Sequence, residues 1–581
     1  MTDLESKASE ELCKGQTRSA GPQLKRALGA RHLQMLAIAS SVGTGLFIGS
    51  GKVLSTGGPF SVVFSFAWLG LVLTTMMQCL CEMTTIYPAS GSFVTYAARY
   101  IDPAWGFAVG ILYWACWVGA FGTEATAARI LVGYWLPVGW SDHPGHAAIL
   151  ISVFNVIMIL IHICPVRVFG EIEFWVSSIK VVSILVFLVV IWVIMGGGGP
   201  NGRVHGGEYW AEGAIINGFK GLSSVFVTAA FACGGTEVAG VAGGETKDPM
   251  IAMPRAVRTL MFRIVFFYVV TLLFLSFVVS ARNPALLGSG SGGAVEASPF
   301  VIAIKEAGIG VLPDVLNAIV LLCVSSVGSV SVYTASRVLY NMTETGLISS
   351  RWGFGKVDER GRPYDTPLPP DGGDNNNNNN NCCHLIWKVL GVNEQRVIAD
   401  DYSVRAIIAT TFVAVGLSYM NCSASAATAF GWFHSLSGIA FLACWPTIIA
   451  SNWRWRAGIK AQGLNLLDLK HTYKASFRPW LPAFGFISLL FMLACHIYVS
   501  ASPVTGSADA AQWFQNCIGI PLLVVLYSGY KILYGTKFVT AGEMDLETDK
   551  THDSDIAEQS EKLDAYYEQS RKVRALSYVR F

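Results

Sequence analysis

The stretch SSVGTGLFIGSG, residues 40–51, decides how this chain is read. It lies in an apolar run long enough to cross a bilayer, yet it carries Gly43, Gly45, Gly49 and Gly51. Glycine inside a helix costs about 1 kcal/mol relative to alanine. Four of them within one span predict a helix that breaks near its own centre. A second glycine-weakened centre, FACGGTEVAGVAGGE, occupies residues 231–245.

Composition sets the setting for both. Of 581 residues, 52% are hydrophobic and only 14% charged, and the mean hydropathy is +0.47. Soluble domains carry about a quarter charged residues. A hydrocarbon core of about 30 Å needs about 20 apolar residues per helix, and such runs recur along most of the chain. An all-α polytopic membrane protein is expected. The first thirty residues are polar and lack the apolar core of a cleavable signal, so the first span is expected to direct insertion. The 13 cysteines mostly stand singly in apolar runs, which is neither a disulfide framework nor a metal-ligand spacing. No cofactor, metal or nucleic-acid partner is expected.

Twelve transmembrane helices are predicted, near 33–54, 60–82, 104–134, 147–165, 172–195, 219–242, 258–281, 313–340, 404–420, 428–450, 480–500 and 513–534. These segments are called spans 1 to 12. The loops after spans 6, 8 and 10 carry clusters such as Lys247, Arg255 and Arg258, or Arg454, Arg456, Lys460 and Lys470, whereas those after spans 3, 9 and 11 hold no Lys or Arg. The positive-inside rule then puts both termini and the basic loops in the cytoplasm. The chain divides into an N-terminal tail (1–32), a transporter domain (33–534) and a C-terminal tail (535–581). An Asn-rich insert at 367–402, containing DGGDNNNNNNN, cannot bury anything and is expected to be disordered.

Spans 1 and 6 each open a block of five helices: repeat one over about 33–195 and repeat two over about 219–450, with accessory helices at about 480–534. Five is odd, so the second block enters from the opposite side. Gly-interrupted segments at corresponding positions of two halves mark the binding site of an inverted-repeat transporter. A break at Gly43–Gly45 frees amides at the start of the outer half-helix, which suit a carboxylate. A break at Gly234–Gly235 frees carbonyls that suit an ammonium. The competing reading is close packing, since Gly45/Gly49 and Gly240/Gly244 are each G-x-x-x-G. GLFIGSGKV is no phosphate loop, because Val53 stands where Ser or Thr is required.

The motifs RHLQMLAIASSVGTGLFIGSG, CEMTTIYPASGSFVTYAARYIDPAWGFAVGILYW, GGTEVAGVAGGETKDPMIAMPRAV, SPFVIAIKEAGI and VYTASRVLY occur in this order. Through them the chain resembles the fungal amino-acid permeases of the yeast amino-acid transporter family, within the amino acid–polyamine–organocation superfamily. The resemblance runs from about Arg31 to Leu546. It implies a leucine-transporter-type 5+5 inverted repeat plus two C-terminal helices, and proton-coupled amino-acid uptake at the plasma membrane. It also implies a substrate site at Ser40, Gly43, Thr44, Gly45, Phe231, Ala232, Gly234, Gly235, Thr236 and Glu237. The partners implied are an amino acid, protons and lipid, with trafficking and ubiquitin-ligase adaptors on the tails. The chain departs from its relatives at Gly122-Thr123-Glu124, where P-x-E is usual, at Arg129, at Ser329 in place of Asn, and at the insert, a species-specific loop or an unspliced intron.

Ionisable residues inside spans are functional candidates because their burial is costly. Lys180 in span 5 resembles the lysine that proton-coupled relatives place where sodium-coupled ones hold a cation; snorkelling to the interface is the alternative. Glu237 beside the span 6 break and Glu124 in span 3 complete the proton-coupling candidates. Arg129, Ser329 and Phe433 are candidates for the side-chain pocket. A non-transporting amino-acid sensor of the same fold, or a transporter of polyamines or other amines, are the competing functions. No intramembrane enzyme motif is present, so no enzyme is expected.

Overall fold

The computed structural model describes residues 29–568, apart from 90, 138, 165, 287–297, 350–351, 353, 355–403, 423–425 and 505–508. The expected disordered insert and most of the N-terminal tail lie outside the described residues. Those described form helices almost throughout; one isolated bridge, Gly196 to Val204, is the β feature among them.

Ten helices are long and apolar enough to cross a membrane, or eleven if the bent pair Ala510–Cys517 and Gly519–Tyr534 is one span. The expected count of twelve is not reached by that measure, and the difference lies in span 1. Its first part, Ala30–Ser41, is short, and its remainder runs through Thr44–Phe47 into the 36-residue helix Gly49–Thr84. That helix is interrupted at Gly58, whose φ of 80° is non-helical and precedes Pro59. A side chain at Gly58 would also meet the Ala214 carbonyl at 2.8 Å, so glycine alone fits this corner.

Span 3 (Pro103–Gly133) is the axis of the bundle and packs along spans 8 (Leu312–Glu344) and 10 (Ala426–Ala461). Span 1 lies on span 5 (Val166–Met195), and the first half of span 6 (Gly218–Cys233) lies on Gly49–Thr84. Lipid-facing helices keep their apolar residues exposed: Trp175, Val182 and Val189 line the outer face of span 5. Span 7 begins nine residues earlier than expected, at Pro249, because proline is well placed in a first helical turn. Among the described residues, three helices of eight residues or more lie outside the expected spans, at Phe93–Tyr100, Pro299–Glu306 and Asp553–Glu568.

The last of these belongs to the C-terminal tail, which docks on the end of the bundle that bears the basic loops. Tyr87 donates its hydroxyl to the Leu546 carbonyl at 2.8 Å, and Arg99 pairs with Asp549 at 2.7 Å. Farther along, Asp564 meets Lys470 at 2.6 Å and His471 at 2.8 Å.

Candidate functional site

The two broken spans meet. The helix Ala30–Ser41 stops at Val42, and Gly43, whose backbone is neither helical nor in the strand region, caps the next turn by accepting from Leu46 and Phe47. The amides of Thr44 and Gly45 therefore precede the first intrahelical bond, as at any helix start. The first half of span 6 stops at Cys233, and Gly235 turns the chain with a φ of +90°. An added Cβ there would sit 2.6 Å from Ser40 Cβ, and one on Gly45 would sit 2.3 Å from Ala232 Cα. Breaking and close packing thus prove to be one device: the glycines both interrupt the helices and let them touch.

Side chains from span 1 itself and from two other helices satisfy the carbonyls that the breaks release. Ser40 Oγ donates to the Gly235 carbonyl at 2.8 Å, joining the two breaks directly. Lys180, fully buried, donates from Nζ to the carbonyls of Ala39 and Val42, both at 2.9 Å. Its amino group sits at the negative end of the first half-helix of span 1, where a cation is favoured; it does not snorkel. Tyr268 in span 7 places its hydroxyl 2.7 Å from both the Ser41 and Ala232 carbonyls. This tyrosine lies on a π-helical segment, Val265–Val270, a local irregularity often found at functional sites.

Between the breaks lies a narrow cavity lined by Ser40, Ser41, Gly43, Thr44, Gly45, Phe231 and Gly234, with Trp117, Ala120 and Glu124 of span 3, Val327 of span 8 and Phe441 of span 10. It leaves about 10 Å³ open, the room of about one water molecule. Glu124 is its one acidic side chain. Thr44 donates to Glu124 Oε1 at 2.6 Å, while the buried Oε2 has no hydrogen-bond partner among the described residues.

The remaining predicted residues do not line this cavity. Glu237 accepts from Tyr113 at 2.8 Å, Trp445 at 3.1 Å and the Gly235 amide at 3.3 Å, so it fastens the span 6 break to spans 3 and 10. Ala232 and Gly235 form the contact with span 1, and Thr236 is buried beside them. Arg129 is buried at the other end of the bundle, donating to the Ser141 carbonyl at 3.0 Å and the Asn421 carbonyl at 2.7 Å. Ser329 is buried away from the cavity while Val327 faces it, since two residues on a helix differ by about 200°. Phe433 packs on Gly122, where an added Cβ would meet its ring at 2.9 Å; Phe441, about two turns on, lines the cavity instead.

Sequence reasoning passed over Trp117, Phe441, Tyr268 and Glu173. Aromatic residues are common in membrane spans, so nothing marked these three. Glu173 stood at the expected edge of span 5, where an acidic residue is ordinary.

The chain's first and sixth spans break against each other around a small cavity, the build of a transporter rather than an enzyme. The family described as amino acid permease matches residues 32–367 and 403–541, and this chain belongs to it. Among curated relatives, the S-adenosylmethionine permease GAP4 of Candida albicans is 33% identical over 91% of this chain and 79% of its own length. The cationic amino acid transporter 1 of Schizosaccharomyces pombe is 33% identical over 94% and 85%. The general amino-acid permease GAP1 of Saccharomyces cerevisiae is 32% identical over 93% and 83%. Among solved structures, MHP1, a nucleobase-cation-symport-1 family transporter in a closed conformation, covers 86% of this chain and 99% of its own at 13% identity, with a TM-score of 0.43. That likeness is too slight to bear on the assignment.

Proposed function

We propose that this amino-acid permease imports its substrate by proton symport across the plasma membrane, with both tails in the cytoplasm. The observation that carries the reading is the cavity between the two breaks. Thr44 and Gly45, at the start of a half-helix, border it on one side, and Phe231 and Gly234, at the end of another, on the other. A helix start attracts a carboxylate and a helix end attracts an ammonium, so the pair suits the two charges of an α-amino acid. Lys180 and Glu124 supply the ionisable groups beside it. The relatives named above act on substrates as different as S-adenosylmethionine and cationic amino acids, so the side-chain preference of this chain rests on its own cavity walls.

The test is uptake of labelled neutral, acidic and basic amino acids, and one polyamine, into permease-deficient yeast at acid and neutral pH. Uptake of an amino acid that collapses with a protonophore supports symport. Uptake indifferent to both pH and protonophore rejects it, and uptake of the polyamine alone rejects the zwitterion site.

A further inference from the structure

Glu173 is a buried carboxyl that lines neither the cavity nor the two breaks. It lies in span 5, 2% exposed, two helical turns before Lys180, or about 10 Å along the axis. Side chains on a helix lean toward its N-terminus, so the long lysine side chain leans in the direction of Glu173. Seven residues bring Glu173 and Lys180 back to nearly the same face of the helix. Glu173 makes no ion pair within 4 Å among the described residues. Its Oε2 accepts from the Ser326 hydroxyl of span 8 at 2.5 Å.

The neighbouring charges are otherwise committed. From span 1, Arg31 and His32 bind Glu171 at 2.8 and 3.1 Å, not Glu173. His162 of span 4 has its ring nitrogens on the carbonyls of Met158 and Ser329. Span 8 presents Ser326 and Ser329 to Glu173, and farther along it Arg337 binds Glu245. A buried carboxylate without a cation is costly unless it gains a proton. Lys180 is the acid placed to supply one.

We propose that Glu173 receives the proton that Lys180 releases, and passes it on toward the end of the bundle bearing the basic loops. The step is a transfer from the Lys180 ammonium to the Glu173 carboxylate, leaving a neutral amine and a carboxylic acid. A second transfer, from the acid to water at that end, restores the carboxylate. Lys180 meanwhile regains its proton from the side of the cavity where Glu124 lies. Losing the ammonium charge weakens the hold of Lys180 on the Ala39 and Val42 carbonyls, which couples proton release to the hinge of span 1. This inference rests on the symport reading above.

The experiment separates the two. Full-length protein in liposomes is given a radiolabelled mixture of the common L-amino acids. One arm measures accumulation against an imposed pH gradient; the other measures exchange at equal pH with unlabelled amino acids inside. Glu173→Gln is expected to lose gradient-driven accumulation, down to the level a protonophore leaves, while exchange continues at the wild-type rate. Glu173→Asp, which keeps the carboxyl, is expected to recover accumulation. Accumulation retained by Glu173→Gln overturns the assignment, as does an equal loss of accumulation and exchange. Wild-type accumulation that ignores the gradient overturns the symport reading itself, and this proposal with it.

Discussion

Arg337 Nε lies 2.5 Å from Glu245 Oε1, and both side chains are almost wholly buried. The pair ties span 8 to the end of span 6, and Tyr333 adds its hydroxyl to the other carboxylate oxygen at 3.2 Å. Removing one partner of a buried ion pair costs about 3–5 kcal/mol, whereas replacing both by apolar residues is often neutral. Arg337→Ala is therefore expected to lower the melting temperature of the purified protein markedly, and Arg337→Leu with Glu245→Leu to recover most of it. Equal melting of the single and double variants would show that the pair is not closed.

Gly45 and Gly43 differ in what a side chain would meet. At Gly45 a Cβ runs into Ala232 backbone at 2.3 Å, but at Gly43 it meets Val327 Cγ2 at 2.5 Å. Backbone cannot move aside, and a neighbouring side chain can be shortened. Gly45→Ala is expected to abolish both surface delivery and uptake. Gly43→Ala combined with Val327→Ala is expected to reach the surface, as scored by cell-surface labelling. Loss of uptake in a Gly45 variant consequently reports on helix packing and says nothing of carboxylate binding.

Lys180→Met keeps the length of the side chain and removes its donors. The carbonyls of Ala39 and Val42 each lose a hydrogen bond to a charged group, worth about 1.5–3 kcal/mol. Net uptake is expected to fall to background at every pH. An unchanged acid optimum in this variant would remove Lys180 from proton coupling.

The cavity leaves about one water's room, and Phe231 and Phe441 form two of its walls. Phe231→Ala is expected to shift the uptake panel toward bulky amino acids relative to alanine and glycine. No change in the ratio would place the selective wall elsewhere.

The docked tail gives a pH dependence with a definite sign. Burial pushes the Asp545 carboxyl up, but the Thr548 amide, 2.9 Å away, and the nearby Arg99 guanidinium outweigh it and hold it below the usual carboxylate value. A depressed carboxyl contributes stability fully above its unfolded value, about 3.9, and loses it as pH falls through the folded one. Amide hydrogen exchange over 545–549, corrected for its intrinsic pH dependence, is expected to gain protection up to about pH 5 and then level off. Protection that decreases over that range contradicts the docking.

Much of this site was legible beforehand because two of its features are local. Glycine clusters at 43–45 and 234–235 weaken a helix whatever surrounds them, and a lysine or glutamate within an apolar run stands out in any context. Tyr268, Trp117 and Phe441 carried no such mark, since their roles depend on which carbonyl or cavity lies opposite. In the sequence Glu237, beside the span 6 break, was the stronger candidate and Glu124 the weaker, yet Glu124 faces the cavity with an unpartnered oxygen and Glu237 is held by Tyr113, Trp445 and the Gly235 amide.

The sequence by itself determined that this chain spans a membrane many times, that spans 1 and 6 break, and which buried charges need an explanation. Hydropathy, backbone propensity and the cost of a buried charge act residue by residue. Only the tertiary structure decided that the breaks touch at Gly45–Ala232 and Ser40–Gly235, that Lys180 and Tyr268 hold the freed carbonyls, and that Val327 and Phe441, not Ser329 and Phe433, face the cavity. Those outcomes depend on how separate helices are rotated and seated against one another, and no single segment encodes that.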